Sequence, residues 1–175
     1  MNKNITKLFL LASLLFLIVG CSPKPEFELY EGKELSIAVL GKAPEVKEEQ
    51  VDFQEITFDE FNKEGIMQYD AVFIMKENLA EAAESQYAPV YKESHLPFFF
   101  IETNTGAFPF VEAEQAYDES REIPYHNHYA TGFLEVPNGE QRTSTFGLDN
   151  GKVTKENIKD VYSRIFKTVE ESSGD

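Results

Sequence analysis

Three short, almost uninterrupted apolar runs constrain the fold of this 175-residue chain more than any other feature. They are Leu35-Ser36-Ile37-Ala38-Val39-Leu40, Ala71-Val72-Phe73-Ile74-Met75 and Phe98-Phe99-Phe100-Ile101. None shows the polar–apolar alternation of a strand with one wet face, so each reads as a strand buried on both faces. Sheets covered on both faces are mostly parallel, and parallel neighbours need crossover connections, usually helical.

The intervals supply such helices. Thr57-Phe58-Asp59-Glu60 fits the S/T-x-x-E capping box and predicts a short helix to about Glu64. Asn78 stands three residues before Glu81 and opens a second helix, which Pro89 should kink or split. Val51–Ile56 mixes apolar and polar residues as an edge strand does. In the last third, Tyr129–Val136 and Arg142–Gly147 flank the turn signal Pro137-Asn138-Gly139-Glu140 and predict a β-hairpin. Thr154 then caps a final helix whose Ile158, Val161, Tyr162, Ile165, Phe166 and Val169 form one apolar stripe. The expectation is a small three-layer α/β domain with a mostly parallel sheet in flavodoxin-like order, plus a C-terminal β-hairpin and helix.

The N-terminus reads as an address rather than as structure. Lys3 and Lys7 precede an uncharged run from Leu8 to Val19, which stops at Gly20 and the sole cysteine, Cys21. As a helix that run spans about 18 Å, short of the roughly 30 Å hydrocarbon core of a bilayer. A basic start, an apolar middle and a small residue before a cleavage point make an export signal. Ile18-Val19-Gly20-Cys21 resembles the lipobox of bacterial lipoproteins, and the whole chain is similar in build to small lipoproteins of Bacillus-type Gram-positive bacteria. The resemblance implies transfer of a diacylglyceryl group to Cys21, cleavage after Gly20, and a protein held by its acyl chains on the extracytoplasmic face of the cell membrane. Two acyl chains make a stable anchor where one is marginal. The expected organisation is a leader over 1–20, the lipidated cysteine and tether over 21–33, a single α/β domain over 34–170 and a disordered tail over 171–175.

Composition narrows the function classes. There are 16 Lys and Arg against 31 Asp and Glu, and two of the basic residues belong to the leader, so the mature formal charge is about −17. Such a balance disfavours nucleic acid, whose binding rests on cations neutralising phosphates. It also opposes electrostatic docking to anionic lipid, leaving the acyl chains to hold the domain at the membrane. With Cys21 acylated the mature chain has no thiol, which excludes disulfides, cysteine nucleophiles and thiolate metal sites. Gly41-Lys42-Ala43-Pro44 lacks the glycines of a dinucleotide loop, and neither a P-loop nor a G-x-S-x-G elbow occurs.

In open parallel sheets, ligands bind outside the carboxyl ends of the strands. Those ends carry Lys42, then Lys76, Glu77 and Asn78, then Glu102 and Asn104, which together form the candidate ligand site. Each also has a local explanation: Asn78 as a helix cap, the lysines as solvated charges, Asn104 as turn chemistry. The long connection over 106–128 should wall that site, with Phe108-Pro109-Phe110 as an aromatic edge suited to a protein partner. Within it His126 and His128, if extended, point to one face about 6–7 Å apart. That spacing permits a divalent metal shared with Asp118, Glu119, Glu122 or His95. Two readings follow. The first is a non-enzymatic envelope lipoprotein, without a cofactor, that binds a small polar ligand or an envelope protein. The alternative is a small metal-assisted hydrolase using His126 and His128.

Overall fold

The computed structural model describes residues 27–112, 117, 120, 122–124 and 127–173. Six strands form one sheet: β1 (Leu35–Leu40), β2 (Val51–Ile56), β3 (Ala71–Ile74), β4 (Phe98–Ile101), β5 (His128–Glu135) and β6 (Gln141–Gly147). Their order is β2-β1-β3-β4-β5-β6. The first four are parallel, whereas β5 runs antiparallel to β4 and β6 antiparallel to β5. The flavodoxin-like order therefore holds through the fifth strand, but the fifth strand is reversed. All four parallel strands end at one pole of the sheet, the carboxyl pole. The switch point lies between β1 and β3, because the chain leaves β1 for one neighbour and returns for the other.

Burial on both faces is what the three apolar runs achieve. Ile37, Val39, Ala71, Phe73, Phe99 and Ile101 face one core, and Ala38, Leu40, Val72, Ile74, Phe98 and Phe100 face the other. The first core is closed by one long helix, α5 (Lys155–Ser172), whose Val161, Ile165, Phe166 and Val169 are fully buried. Each such side chain contributes about 1.5–3 kcal/mol relative to leaving it in water. Thr154 caps α5 through Asn157 N, which donates to its Oγ1 at 3.1 Å. Four short helices close the second core: α1 (Lys63–Ile66), α2 (Leu79–Ala82), α3 (Ala88–Glu93) and α4 (Phe108–Val111). The result is three layers.

Local chemistry explains where the helices depart from expectation. At Thr57 the hydroxyl donates to Glu60 Oε2 at 2.8 Å rather than accepting from the Glu60 amide, so only half of a capping box forms and it closes a turn. The helix starts instead at Asn62, whose Oδ1 accepts from Gly65 N at 3.0 Å. The second helix is split into α2 and α3, with Pro89 in the first turn of α3, where a missing N–H costs nothing. Tyr30, inside the stretch expected as tether, is buried against Phe166, and its hydroxyl donates to Lys33 O at 3.0 Å. α5 likewise continues to Ser172, into the expected tail. The β1–β2 link is held to α5 by Glu48, a buried carboxylate that accepts from Ser163 Oγ.

Candidate functional site

The site builds up from Gly41, at the end of β1. Its φ of +118° is open to glycine and strained for any other residue. A Cβ there would lie 2.7 Å from Glu77 Oε1 and 2.8 Å from Met75 Cβ, with Asn78 Nδ2 at 3.0 Å. The turn after β3 therefore lies directly on the turn after β1. The side chain of Asn78 does not cap α2, so its amide is left facing Gly41. The amide of Lys42 donates to Glu77 Oε1 at 3.4 Å, and that of Ala43 donates to Glu55 Oε1 at 2.9 Å.

Those two amides sit at the switch point, where a doubly wound sheet presents backbone N–H groups to an anion. Here the chain's own carboxylates occupy them. A phosphate or carboxylate ligand would meet Glu55 and Glu77 at the donors it needs, so an anion is disfavoured at this position.

Glu102, at the end of β4, completes the cluster. Its φ is +55°, the left-handed region, which costs a residue with a side chain about 1–2 kcal/mol. Its Oε2 lies 3.5 Å from Lys76 Nζ. Both side chains are substantially exposed, at 44 % and 68 %, so the pair contributes under about 1 kcal/mol. On the α5 side of these carboxylates stand two buried phenols, Tyr129 and Tyr162. Burial and then the Glu102 charge push the Tyr129 hydroxyl up to about 12. Burial, the adjacent Tyr129 and the charges of Glu102 and Glu77 push Tyr162 well above the usual tyrosine value. Both are protonated donors at neutral pH.

The structure thus brings Lys42, Glu77 and Asn78 together around Gly41 and pairs Lys76 with Glu102. Asn104 is engaged elsewhere: its Nδ2 donates to Glu122 Oε1 at 2.7 Å, and its carbonyl accepts from Ile123 N at 2.7 Å. Through these bonds it pins the long connection. Phe110 is also removed from the expected aromatic edge, because its ring stacks on Phe100 with centroids 3.6 Å apart. Phe108 remains exposed. Glu55, Tyr129 and Tyr162 are site residues that sequence reasoning missed. Tyr162 lies on the helical stripe, which signals burial but says nothing of where the hydroxyl points.

Cys21 and His126 lie outside the described residues. His128 starts β5, and the register shift between His128 and Ala130 interrupts regular alternation there. Its Nε2 is 3.1 Å from Thr131 Oγ1, which itself donates to Thr105 O at 2.9 Å. That donation leaves the Thr131 oxygen to accept from Nε2–H, so Nδ1 carries the lone pair. Nδ1 is buried and has no hydrogen-bond partner among the described residues. Burial holds the His128 pKa below the usual histidine value, against a raising contribution from the Thr105 backbone. Among the described residues no group of three or more His, Cys, Asp or Glu is placed to hold a metal ion.

No protein-family model matches the chain, and no curated protein or solved structure matches it significantly. The chemistry of the carboxyl pole rests on its own geometry. Three carboxylates, two lysines, one amide and two phenols offer donors and acceptors of both signs.

Proposed function

We propose that the protein is a lipid-anchored envelope receptor, tethered through a diacylglyceryl group on Cys21, whose domain binds a small zwitterionic or cationic ligand at the carboxyl pole without transforming it. The observation that carries this reading is the internal capping of the Lys42 and Ala43 amides by Glu77 and Glu55. It turns a site of anion-binding type into one that presents carboxylates, with Lys76 beside Glu102 for an opposite charge. The anchor rests on the lipobox-like Ile18-Val19-Gly20-Cys21 after the uncharged run Leu8–Val19; among the described residues no helix is long and apolar enough to cross a membrane.

The tether suits such a receptor. Glu28 lies 3.6 Å from Lys167, and Lys33 N donates to Glu170 Oε1 at 3.1 Å, both in the second half of α5. Leu35 then opens β1. The chain enters the domain at the amino pole, and an anchor there keeps the carboxyl pole turned to the wall and the medium. Two measurements test the reading. Intact mass of membrane-extracted protein should show loss of residues 1–20 plus a diacylglyceryl adduct, and an unmodified Cys21 would refute the anchor. A thermal-shift screen of polar amines and zwitterions should give a binder that Lys76→Ala with Glu102→Ala abolishes. A binder indifferent to that double change would refute the site.

A second reading, a metal-assisted hydrolase, is favoured by one observation, the buried Nδ1 lone pair of His128. The tautomer fixed by Thr131 is the one a ligating histidine adopts when its other nitrogen is held by a second group. Zn²⁺ titrated by calorimetry into chelator-treated protein should reveal a site that His126→Ala with His128→Ala removes. Equal binding by the double variant would exclude these residues.

A further inference from the structure

Four tyrosines are buried among the described residues: Tyr30, Tyr91, Tyr129 and Tyr162. Two of them end on backbone carbonyls, Tyr30 on Lys33 O at 3.0 Å and Tyr91 on Ala82 O at 2.7 Å, which is how a core satisfies a phenol. The other two are different. The hydroxyls of Tyr129 and Tyr162 are hydrogen-bonded to one another, and no other described residue bonds either of them. A phenol offers one O–H and two lone pairs, so the pair keeps one O–H and three lone pairs unspent. Both side chains are more than nine-tenths buried, at 7 % and 3 % exposure.

Both hydroxyls face the carboxyl pole. On β5 the register shift after His128 brings Tyr129 and Ala130, neighbours in sequence, into the same α5-side core. A regular strand would turn one of them to the other face, and a bulge re-aims a side chain in this way. Ala130 pairs with Ile101, so Tyr129 comes beside Glu102. Tyr162 lies on α5, whose second half is at the amino pole. Its side chain leans back toward the start of the helix, and so toward the carboxyl pole. The charge of Glu102 reaches both phenols, and that of Glu77 reaches Tyr162. Met75, just past β3, and Ile158, one turn before Tyr162, are half-buried apolar neighbours on the same side.

Glu77 and Glu102 are exposed carboxylates that attract any cation, so they do not discriminate between cations. The phenols can. The Tyr162 ring is stacked against Phe73, with centroids 6.0 Å apart, and against Phe166 at 6.2 Å. Tyr129 meets it edge-on at 84°. The pair therefore presents oxygen to the pole rather than a π face. A quaternary ammonium is recognised by π faces, whereas an ammonium that carries N–H groups needs acceptors. We propose, on the reading of that pole as a ligand site, that the phenol pair is its selective part and restricts the ligand to a primary ammonium. A phenol oxygen accepts one N–H and the Glu102 carboxylate accepts another. A quaternary ammonium would cover the buried oxygens with methyl groups and leave them without a donor.

The experiment is calorimetric titration of the full-length protein, in a neutral detergent, with two matched pairs of compounds. The pairs are butylamine with butyltrimethylammonium, and glycine with its N-trimethyl form. Titration runs to about 10 mM, tenfold above the roughly 1 mM that marks weak binding. At least one primary compound should saturate, and should bind about tenfold or more tighter than its methylated counterpart, as loss of a hydrogen bond to a charged group implies. Tyr129→Phe with Tyr162→Phe keeps both rings and removes the hydroxyls. It should weaken the primary compound about tenfold and bring it level with the quaternary one. A packing role alone would shift Tm and leave that ratio unchanged. Circular dichroism confirms folding, and Tyr129→Phe alone repeats the test if the double variant does not fold. Lys76→Ala with Glu102→Ala should abolish binding of every compound. If it does so while the members of each pair bind wild type equally, the phenol proposal is overturned and the pole still stands as a cation site. Wild-type selectivity in the phenol variants, or no saturation by either primary compound, would overturn the proposal as well.

Discussion

Glu102 offers the sharpest test of how the carboxyl pole is built. Its backbone is left-handed, with φ at +55°, and its side chain pairs with an exposed lysine. Replacing it separately by glycine and by alanine removes the carboxylate and the ion pair in both cases, so the difference between the two variants reports the backbone alone. Alanine keeps a strain of about 1–2 kcal/mol in that region, which glycine escapes. Glycine in turn gives the unfolded chain more freedom, offsetting about 0.4–1 kcal/mol. The net expectation is that Glu102→Gly is more stable than Glu102→Ala by about 0.5–1 kcal/mol, or about 1–4 °C in Tm for a domain of this size. Urea unfolding of the two variants side by side measures it. An alanine variant as stable as the glycine one would mean that position 102 is not held left-handed, and the reasoning about the site's geometry would fail. If the order holds while Glu102→Gly loses the ligand, the strain serves to aim a carboxylate, as strained residues at functional sites do.

Three further outcomes follow from the same structure. Gly41→Ala should cost about 1–3 kcal/mol in urea unfolding, because it places a strained residue where Glu77 and Met75 already stand; a cost below about 0.5 kcal/mol would show that the turn yields freely. Ile165→Ala should cost about 2–5 kcal/mol by the same assay, since Ile165 is fully buried between α5 and the sheet; a neutral result would remove α5 from the core. His128 has a folded pKa below its unfolded value, so the unfolded chain binds more protons in that window and stability must fall as pH drops below about 6.5. Its contribution appears as a steeper acid loss of Tm in wild type than in His128→Gln, and parallel curves would refute it.

How much of this was legible in the sequence depends on which physical signal each feature leaves. Double-sided burial leaves a continuous apolar run, so β1, β3 and β4 and their parallel pairing could be read directly. The α5 stripe and the Pro137–Glu140 turn were legible because periodicity and turn chemistry are local. The strand ends that carry the candidate cluster gather at one pole once the sheet order is known, since that order fixes the switch point. Helix starts were less legible, because Thr57 and Asn62 offer competing local hydrogen bonds and the sequence does not say which closes a turn. Phe110 looked exposed beside Phe108, yet a four-residue helix places one ring on Phe100 and the other in solvent. Asn104 looked like a ligand residue for want of its partner, Glu122, eighteen positions away.

The residues that were missed share one property: their role lies in a hydrogen bond or charge contact across the fold, while the residue type has an ordinary local reason to be where it is. Glu55 ends an edge strand, and Tyr162 sits on an apolar stripe. Thr131 is one of several small residues in β5. Only the register shows that Glu55 reaches the Ala43 amide and that Thr131 fixes the His128 tautomer. A doubly wound sheet fixes its carboxyl pole through topology alone. The chemistry at the strand ends is set one residue at a time, as where Glu77 and Glu55 take up the amides of Lys42 and Ala43.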